Sequence, residues 1–165
     1  MSLVVAAYLF AQNGRSSFAI QPLGTVDESL LNLARQAISE IFGDGPVATM
    51  APLELPADAF YVPRKRYRAE KILEYLDRIG REKGVKVIGL TSVDISTTKG
   101  RYEDWGIFGM ANIGGPSCVV STYRLGRGRA DPTLFAERVK KVVIHELGHA
   151  LGLPHCTTPG CVMQD

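Results

Sequence analysis

All three histidines of this 165-residue chain fall within eleven residues, His145-Glu-Leu-Gly-His149-Ala-Leu-Gly-Leu-Pro-His155. Two imidazoles four positions apart converge on one ion when the backbone between them is helical, because a helix carries i and i+4 side chains on one face, a turn apart. The spacing therefore predicts a helix through 145–149 that offers two nitrogens to a tetrahedral Zn²⁺. Glu146 leaves that helix in another direction and can reach a water at such a metal, the position of a general base. Gly152 tolerates positive φ and lets the chain leave the helix sharply, so that Leu153-Pro154 delivers His155 as a third ligand. Three protein ligands leave a fourth position open, as in a catalytic rather than a structural site. At average residue frequencies such a pattern of three His, one Glu and one Gly arises on the order of once in ten million start positions. A satisfied core histidine would account for one His, not three.

The rest of the chain has to place that helix. Asp131 is a good N-cap and Pro132 suits a first helical position, so the helix is expected to start there. Val139, Val142, Val143, Ile144, Leu147 and Leu151 make it apolar on more than one side, which predicts burial of its C-terminal half. Upstream, the pattern alternates strand and helix. Leu3 to Ala11 is expected as a buried first strand rather than a signal peptide, since no Lys or Arg precedes it and the next basic residue is Arg15. A polar loop, Gln12 to Ser17, follows. Thr25 with Glu28 forms a capping box for a helix whose apolar face is Leu30, Leu33, Ala34, Ala37, Ile38 and Ile41, closed by Gly43. The prolines of Gly45 to Pro56 favour an edge or a rim. A second helix is predicted from about Tyr67 to Glu82, with Ala69, Ile72, Leu73, Leu76 and Ile79 apolar and Gly84 at its end. Val85 to Thr91 is the clearest strand. Asp94 to Asp104 is polar and is expected as an exposed loop. Ile107 to Ile113 and Cys118 to Leu125 are two further strands, joined by a turn at Gly114-Gly115-Pro116.

Composition narrows the class. Hydrophobic residues at 45% and charged residues at 22% suit one soluble globular domain. No apolar run approaches the ~20 residues that span a bilayer. A net charge of +2 is too mild to imply nucleic acid or a membrane surface. Three cysteines, odd and few, are not a secreted disulfide framework, and the expected location is cytoplasmic. Nothing in the sequence identifies an oligomer.

The pattern H-E-x-x-H-x-x-G-x-x-H followed by a methionine resembles the metzincin signature. Met163 follows His155 by eight residues, and the run His155-Cys156-x-x-x-x-Cys161-x-Met163 is similar to the archaemetzincin branch, peptidase family M54. The specific match covers His145 to Met163. The resemblance implies an α/β (α+β) fold, a metzincin-like zincin with a twisted mixed β-sheet, backing helices and a central active-site helix. Residues 1–152 would form an N-terminal catalytic subdomain ending in that helix, and 153–165 the start of a short C-terminal subdomain with the third zinc ligand and the Met turn. His145, His149 and His155 would be the catalytic zinc ligands, Glu146 the general base and Met163 the apolar floor beneath the metal; a plain core methionine is the alternative. In the archaemetzincin pattern Cys156 and Cys161 join a later C-x-x-C pair around a second, structural zinc. That pair is absent from this sequence, and two thiolates alone do not close a tetrahedral site. Cys118 matches none of these positions and is expected as a small buried hydrophobe in a strand.

The implied chemistry is hydrolysis of a peptide bond by zinc-activated water, with Glu146 taking the proton and handing it to the leaving amine. That makes the chain a zinc metallopeptidase (EC 3.4) with a peptide or protein as substrate, and aminopeptidase action is one form of it. An aminopeptidase needs an anionic group for the substrate amine, and Glu103 and Asp104 are candidates. Two other readings stay open: a non-catalytic or occluded metal-binding module for protein interaction, which an intact Glu146 speaks against, and a zinc hydrolase of a non-peptide amide. A peptide is expected to bind as an added strand. Ile107 to Ile113 is the candidate edge, with an internal strand as the alternative, and Gly100 to Gly106 is either a flap or a solvated connector. Arg64, Lys65, Arg66 and Arg68 open the second helix, and Arg124, Arg127 and Arg129 precede the active-site helix; both clusters are expected as solvated surface.

Overall fold

Among the residues that the computed structural model describes (17–43, 45, 47–126 and 131–164), short strands alternate with three helices. In chain order these are β1 (Phe18–Leu23), α1 (Glu28–Phe42), β2 (Val47–Thr49), β3 (Phe60–Tyr61), β4 (Arg66–Arg68), α2 (Ala69–Lys83), β5 (Lys86–Thr91), β6 (Ile95–Lys99), β7 (Tyr102–Ile107), β8 (Gly109–Ala111), β9 (Ser117–Ser121) and α3 (Pro132–Ala150). The apolar run at 3–11, expected as the first strand, lies outside the described residues, as do Arg127 and Arg129.

Five strands form a mixed sheet in the order β2-β1-β5-β9-β8. The first four run parallel, and β8 adds antiparallel to β9, with Gly109 opposite Val120 and Ala111 opposite Cys118. Central strands of such a sheet are buried on both faces, and their side chains alternate between two cores. Ile88, Leu90, Cys118 and Val120 face one side, where α1 and α3 pack through Leu30, Ala34, Ile38, Val139, Val143 and Leu147. Val87 and Val119 face the other, where α2 packs through Ile72, Leu73 and Leu76. This is the mixed α/β arrangement that the sequence implied. No helix of the described residues is long and apolar enough to cross a membrane.

A second, smaller sheet has the order β3-β4-β6-β7. Its β6/β7 hairpin, with Ile95 opposite Ile107 and Ser96 opposite Gly106, occupies the stretch expected as an exposed loop. Residues 98–103 are exposed as expected, but Ile95 and Ser96 are fully buried, and the Thr97 hydroxyl and the Thr98 amide donate to Glu70 of α2. The single strand expected at 107–113 is divided, since β7 ends at Ile107 and the edge strand β8 holds only Gly109 to Ala111. The end of the predicted polar loop at 12–17 runs straight into β1, whose six residues are all buried. Gln21 hides there because its amide donates to the carbonyls of Pro22 and Ala51 at 2.9 and 2.8 Å. Helix α1 starts at Glu28 with Asp27 as its N-cap, so no capping box forms at Thr25.

The basic clusters divide: Arg64 and Lys65 are exposed as expected, whereas Arg66, Arg68 and Arg124 are half-buried. Arg66 pairs with Asp104 at 3.2 Å and Asp94 at 3.8 Å, and Arg68 bonds to Glu70, Thr98 and the Glu103 carbonyl. Arg124 grips Asp94 through two bonds, at 2.6 and 2.9 Å. These guanidinium groups are half-buried fasteners rather than solvated surface: Arg66 and Arg68 tie together the strands of the smaller sheet, and Arg124, just after β9, ties the larger sheet to the start of β6, a role that suits the planar bidentate fork of arginine.

Candidate active site

Helix α3 carries the chemistry and is anchored at both ends. Asp131 accepts hydrogen bonds from the Thr133 and Leu134 amides at 2.8 and 3.4 Å, which satisfies donors that a helix start leaves open. At the other end, the Lys86 ammonium donates to the carbonyls of Ala150 and Gly115, both at 2.8 Å, and places a positive charge against the negative end of the helix. The partial burial needed for this contact lowers the Lys86 pKa. The C-terminal half of α3 is buried as expected: Val143, Ile144, Leu147, Gly148 and Ala150 fill the core, so His145 and His149 are left on the stripe that faces away from it.

Gly152, at φ 97°, turns the chain back, and His155 returns to the two helical histidines. The three ring centroids lie 4.7 to 5.4 Å apart. Each of the helical rings is held by a backbone carbonyl: His145 Nδ1 to Val162 O at 2.8 Å and His149 Nδ1 to Leu153 O at 2.7 Å. A carbonyl only accepts, so each Nδ1 donates to it and each Nε2 is the nitrogen turned toward the other ring. The two Nε2 atoms stand 3.1 Å apart. Two nitrogens on one tetrahedral zinc at ~2.0–2.1 Å lie about 3.3 Å apart, close to that separation. One ligand atom from each of the three histidines fits within 4.8 Å of the others, so His145, His149 and His155 could hold a metal ion. The carbonyl partners are the kind that fix the tautomer and direction of ligating imidazoles.

Glu146 is 8% exposed. Burial pushes its carboxyl up to about 8, and a dication held by the adjacent histidines would favour the charged form instead. Its carboxyl packs on the backbone of the edge strand: a Cβ at Gly109 would fall 2.7 Å from Oε1 of Glu146 and 2.5 Å from its Cγ. Met163, 4% exposed, lies beneath the helix against Gly148, where a Cβ would overlap its thioether. Its carbonyl accepts from the Cys156 amide at 2.8 Å, which closes the loop that carries His155.

Cys156 and Cys161 are half-buried free thiols. The Thr158 side chain and amide and the Cys161 side chain bond to Cys156 and lower its pKa. Cys118 is fully buried in β9, as expected, and burial pushes its thiol well up.

A cleft of about 800 Å³ opens above the histidines. One wall is α3 with His145, Glu146 and His149; the rim opposite is formed by residues 105–111 of β7 and β8. Neither Glu103 nor Asp104 lines it, and Asp104 is engaged with Arg66, so the structure does not bring these two to the site. Several cleft residues were not singled out individually from sequence: Gly109, Trp105, Phe108 and Lys141. Lys141 had a readable signal, because it precedes His145 by one helical turn on the same stripe.

The profile of peptidase family M54 matches residues 43–165. The archaemetzincin of Haloarcula marismortui is 35% identical over 151 residues, which cover 87% of this chain and 83% of that one. The archaemetzincin of Methanopyrus kandleri is 36% identical over 135 residues, 82% of this chain and 73% of its own. Among solved structures, the archaemetzincin of Archaeoglobus fulgidus complexed with malonate superposes with a TM-score of 0.73 at 31% identity, covering 90% of this chain and 85% of that one.

Proposed function

This chain belongs to peptidase family M54 and is a zinc metallopeptidase; on that premise we propose that it hydrolyses peptide bonds with His145, His149 and His155 as the zinc ligands and Glu146 as general base. The observation that carries this reading is the pairing of two histidine Nε2 atoms 3.1 Å apart with the buried Glu146 carboxyl one residue away, at the floor of an open cleft. When bound there, zinc supplies a Lewis acid that polarises a carbonyl and acidifies water.

The residues of the chain divide the remaining work. The strand β8, at the edge of the sheet, offers unpaired backbone groups to an extended peptide, which would lie along it as a further strand. Gly109, lacking a side chain, lets that peptide backbone come close to Glu146. Oε1 of Glu146 accepts a proton from water in the cleft and returns it to the leaving amine. Met163 acts as a soft apolar support under the ligand helix and holds the His155 loop through its carbonyl. Cys156 and Cys161 supply two of the donors of a second zinc in the archaemetzincin pattern, and the described residues contain no further thiolate beside them.

The openness of the cleft favours a peptidase over an occluded binding module. Among the described lining residues Glu146 is the one carboxylate. None of the described lining residues thus offers a separate anion for the amine of an aminopeptidase substrate. The test is cleavage of a diverse peptide mixture by the zinc-loaded protein, read by mass spectrometry, with Glu146→Ala as control. Cuts that need Glu146 are expected, and their positions separate internal from terminal cleavage. Bound zinc without any cut would return the site to a binding role or to a non-peptide amide.

A further inference from the structure

The cleft is strongly unbalanced in charge. Against the single carboxylate of Glu146 its lining sets Lys99, Arg124, Arg138 and Lys141. Arg124 is neutralised by Asp94. No ion pair joins the other three to a carboxylate among the described residues: Arg138 donates to the Leu125 carbonyl at 3.2 Å, and the Lys99 ammonium lies 5.9 Å from the Trp105 ring centroid. The neighbour of Lys141 behaves differently, since Lys140 points to α1 and bonds Glu40 at 2.8 Å.

Two of these cations have a definite place relative to the chemistry. Arg138, Lys141, His145 and His149 follow one another at intervals of three, four and four residues, which is a single stripe on α3. With a rise of about 1.5 Å per residue, Lys141 and Arg138 stand about 6 and about 10 Å along the helix from His145. An extended peptide advances about 3.4 Å per residue. A peptide laid alongside α3 would therefore present to the two cations its positions two and three residues from the bond held at the histidines, on the side toward the N-terminus of α3. On the rim opposite, Trp105 and Phe108 are 44% and 50% exposed and offer apolar surface to the alternate side chains of an extended chain.

We propose that Lys141 and Arg138 make this cleft selective for peptides that carry a carboxylate two to three residues from the scissile bond, on the side of the N-terminal half of α3. The inference rests on the peptidase reading above and adds the substrate class. The carboxylate can be an Asp or Glu side chain or a free C-terminus; the chemistry recognised is the same, and the peptides below tell the two apart. Lys141 and Arg138 act here as specificity determinants, remote from the reacting atoms.

The experiment measures binding first, so that it does not depend on turnover. Zinc-loaded Glu146→Gln protein is titrated with labelled peptides of one length by fluorescence anisotropy: one with Glu at the second and third positions and an amidated end, one with Gln there and an amidated end, and one with Gln and a free C-terminus placed at the same distance. The Glu peptide, the free-end peptide or both are expected to bind about fivefold more tightly than the amidated Gln peptide, with the gap closing at about 0.5 M salt. Lys141→Glu should reverse the preference toward Lys-bearing peptides, while Lys83→Glu, at the far end of α2, leaves it unchanged. Equal affinity for all three peptides overturns the proposal, as does a preference that survives Lys141→Glu combined with Arg138→Gln. Cleavage of the amidated Gln peptide by the protein with native Glu146 tests the parent reading separately. Selective binding without cleavage breaks the peptidase assignment alone, and cleavage without selective binding breaks this inference alone.

Discussion

The helix wall of the cleft and its strand rim meet at Glu146 and Gly109 but are held by different forces. The helix wall owes its position to apolar burial: Val139, Val143 and Leu147 are fully buried against α1 and the larger sheet. The rim, from β6 to β8, exposes Tyr102, Trp105 and Phe108 and is held through charged groups, Arg66 and Arg124 on Asp94 and Glu70 on Thr97 and Thr98. Burial is non-directional and insensitive to salt, whereas ion pairs answer to pH and ionic strength. The groups assigned to bond cleavage sit on the insensitive wall. Apart from Lys141 and Arg138 on the helix, the groups that would touch the length of a substrate sit on the responsive one. If this division holds, changes at the catalytic groups of the wall should alter kcat, and changes in the rim should alter KM and stability.

The sharpest break falls on the wall. Glu146→Gln keeps the shape of the side chain and removes the proton acceptor, so kcat should fall about 10²- to 10⁴-fold. Zinc content, measured by atomic emission, should stay at one per chain, since Glu146 is not among the three ligands. The thermal midpoint should not drop, because the substitution relieves a buried carboxyl of its ionisation cost. Loss of zinc together with activity would place Glu146 among the ligands instead.

Gly109→Ala attacks the seam between the two regions from the rim side. The new methyl would meet the Glu146 carboxyl, so either the base or the edge strand must move. Activity is expected to fall about 10- to 100-fold through kcat, with an overpacking cost of about 1–3 kcal/mol read from urea unfolding. A loss confined to KM would mean that Gly109 matters for strand pairing rather than for the base.

Asp94→Ala tests the rim alone. It leaves two half-buried guanidinium groups, of Arg66 and Arg124, without their shared carboxylate. Breaking a largely buried pair costs about 3–5 kcal/mol, and the partial exposure here reduces the expectation to about 2–3 kcal/mol. KM should rise with kcat little changed, because the hairpin contributes lining and no group assigned to proton transfer. An equal fall in kcat would show that the two walls are coupled.

The division also explains what the sequence disclosed. The ligand helix was legible because its signals are local: an N-cap, a proline at the first position, helical apolar spacing and three histidines at fixed intervals. Helix α2 and strand β5 were legible for the same reason. The β6/β7 hairpin was not, because Asp94, Thr97, Thr98 and Asp104 look like a solvated loop until their partners arrive from Arg66, Glu70 and Arg124, tens of residues away in the chain. The same long-range pairing turned arginines expected on the surface into fasteners. Strand β1 was obscured by Gln21 and Pro22, whose polar groups are satisfied only once residues 51–53 lie alongside. Cleft cations such as Lys141 required knowledge of which helix face opens to solvent.

The smallest expected effect concerns Glu70 and the pH response of the rim. Burial alone would raise its pKa, but hydrogen bonds from the Thr97 hydroxyl and the Thr98 amide, with the charge of Arg68, outweigh burial and hold the carboxyl below its ordinary 4.5. A group whose pKa is depressed on folding stabilises the fold above its unfolded pKa, and that contribution is lost as pH falls through the folded value. Glu70 should therefore stabilise the hairpin fully near neutrality and progressively less below about pH 4.5. The informative quantity is the difference between the native chain and Glu70→Gln, in which the contributions of all other groups cancel. Urea midpoints taken from about pH 6 to about pH 3 should differ at the upper end and converge at the lower. A constant gap across that range would assign the contribution of Glu70 to packing rather than to charge, and would make the rim less sensitive to pH than its ion pairs suggest.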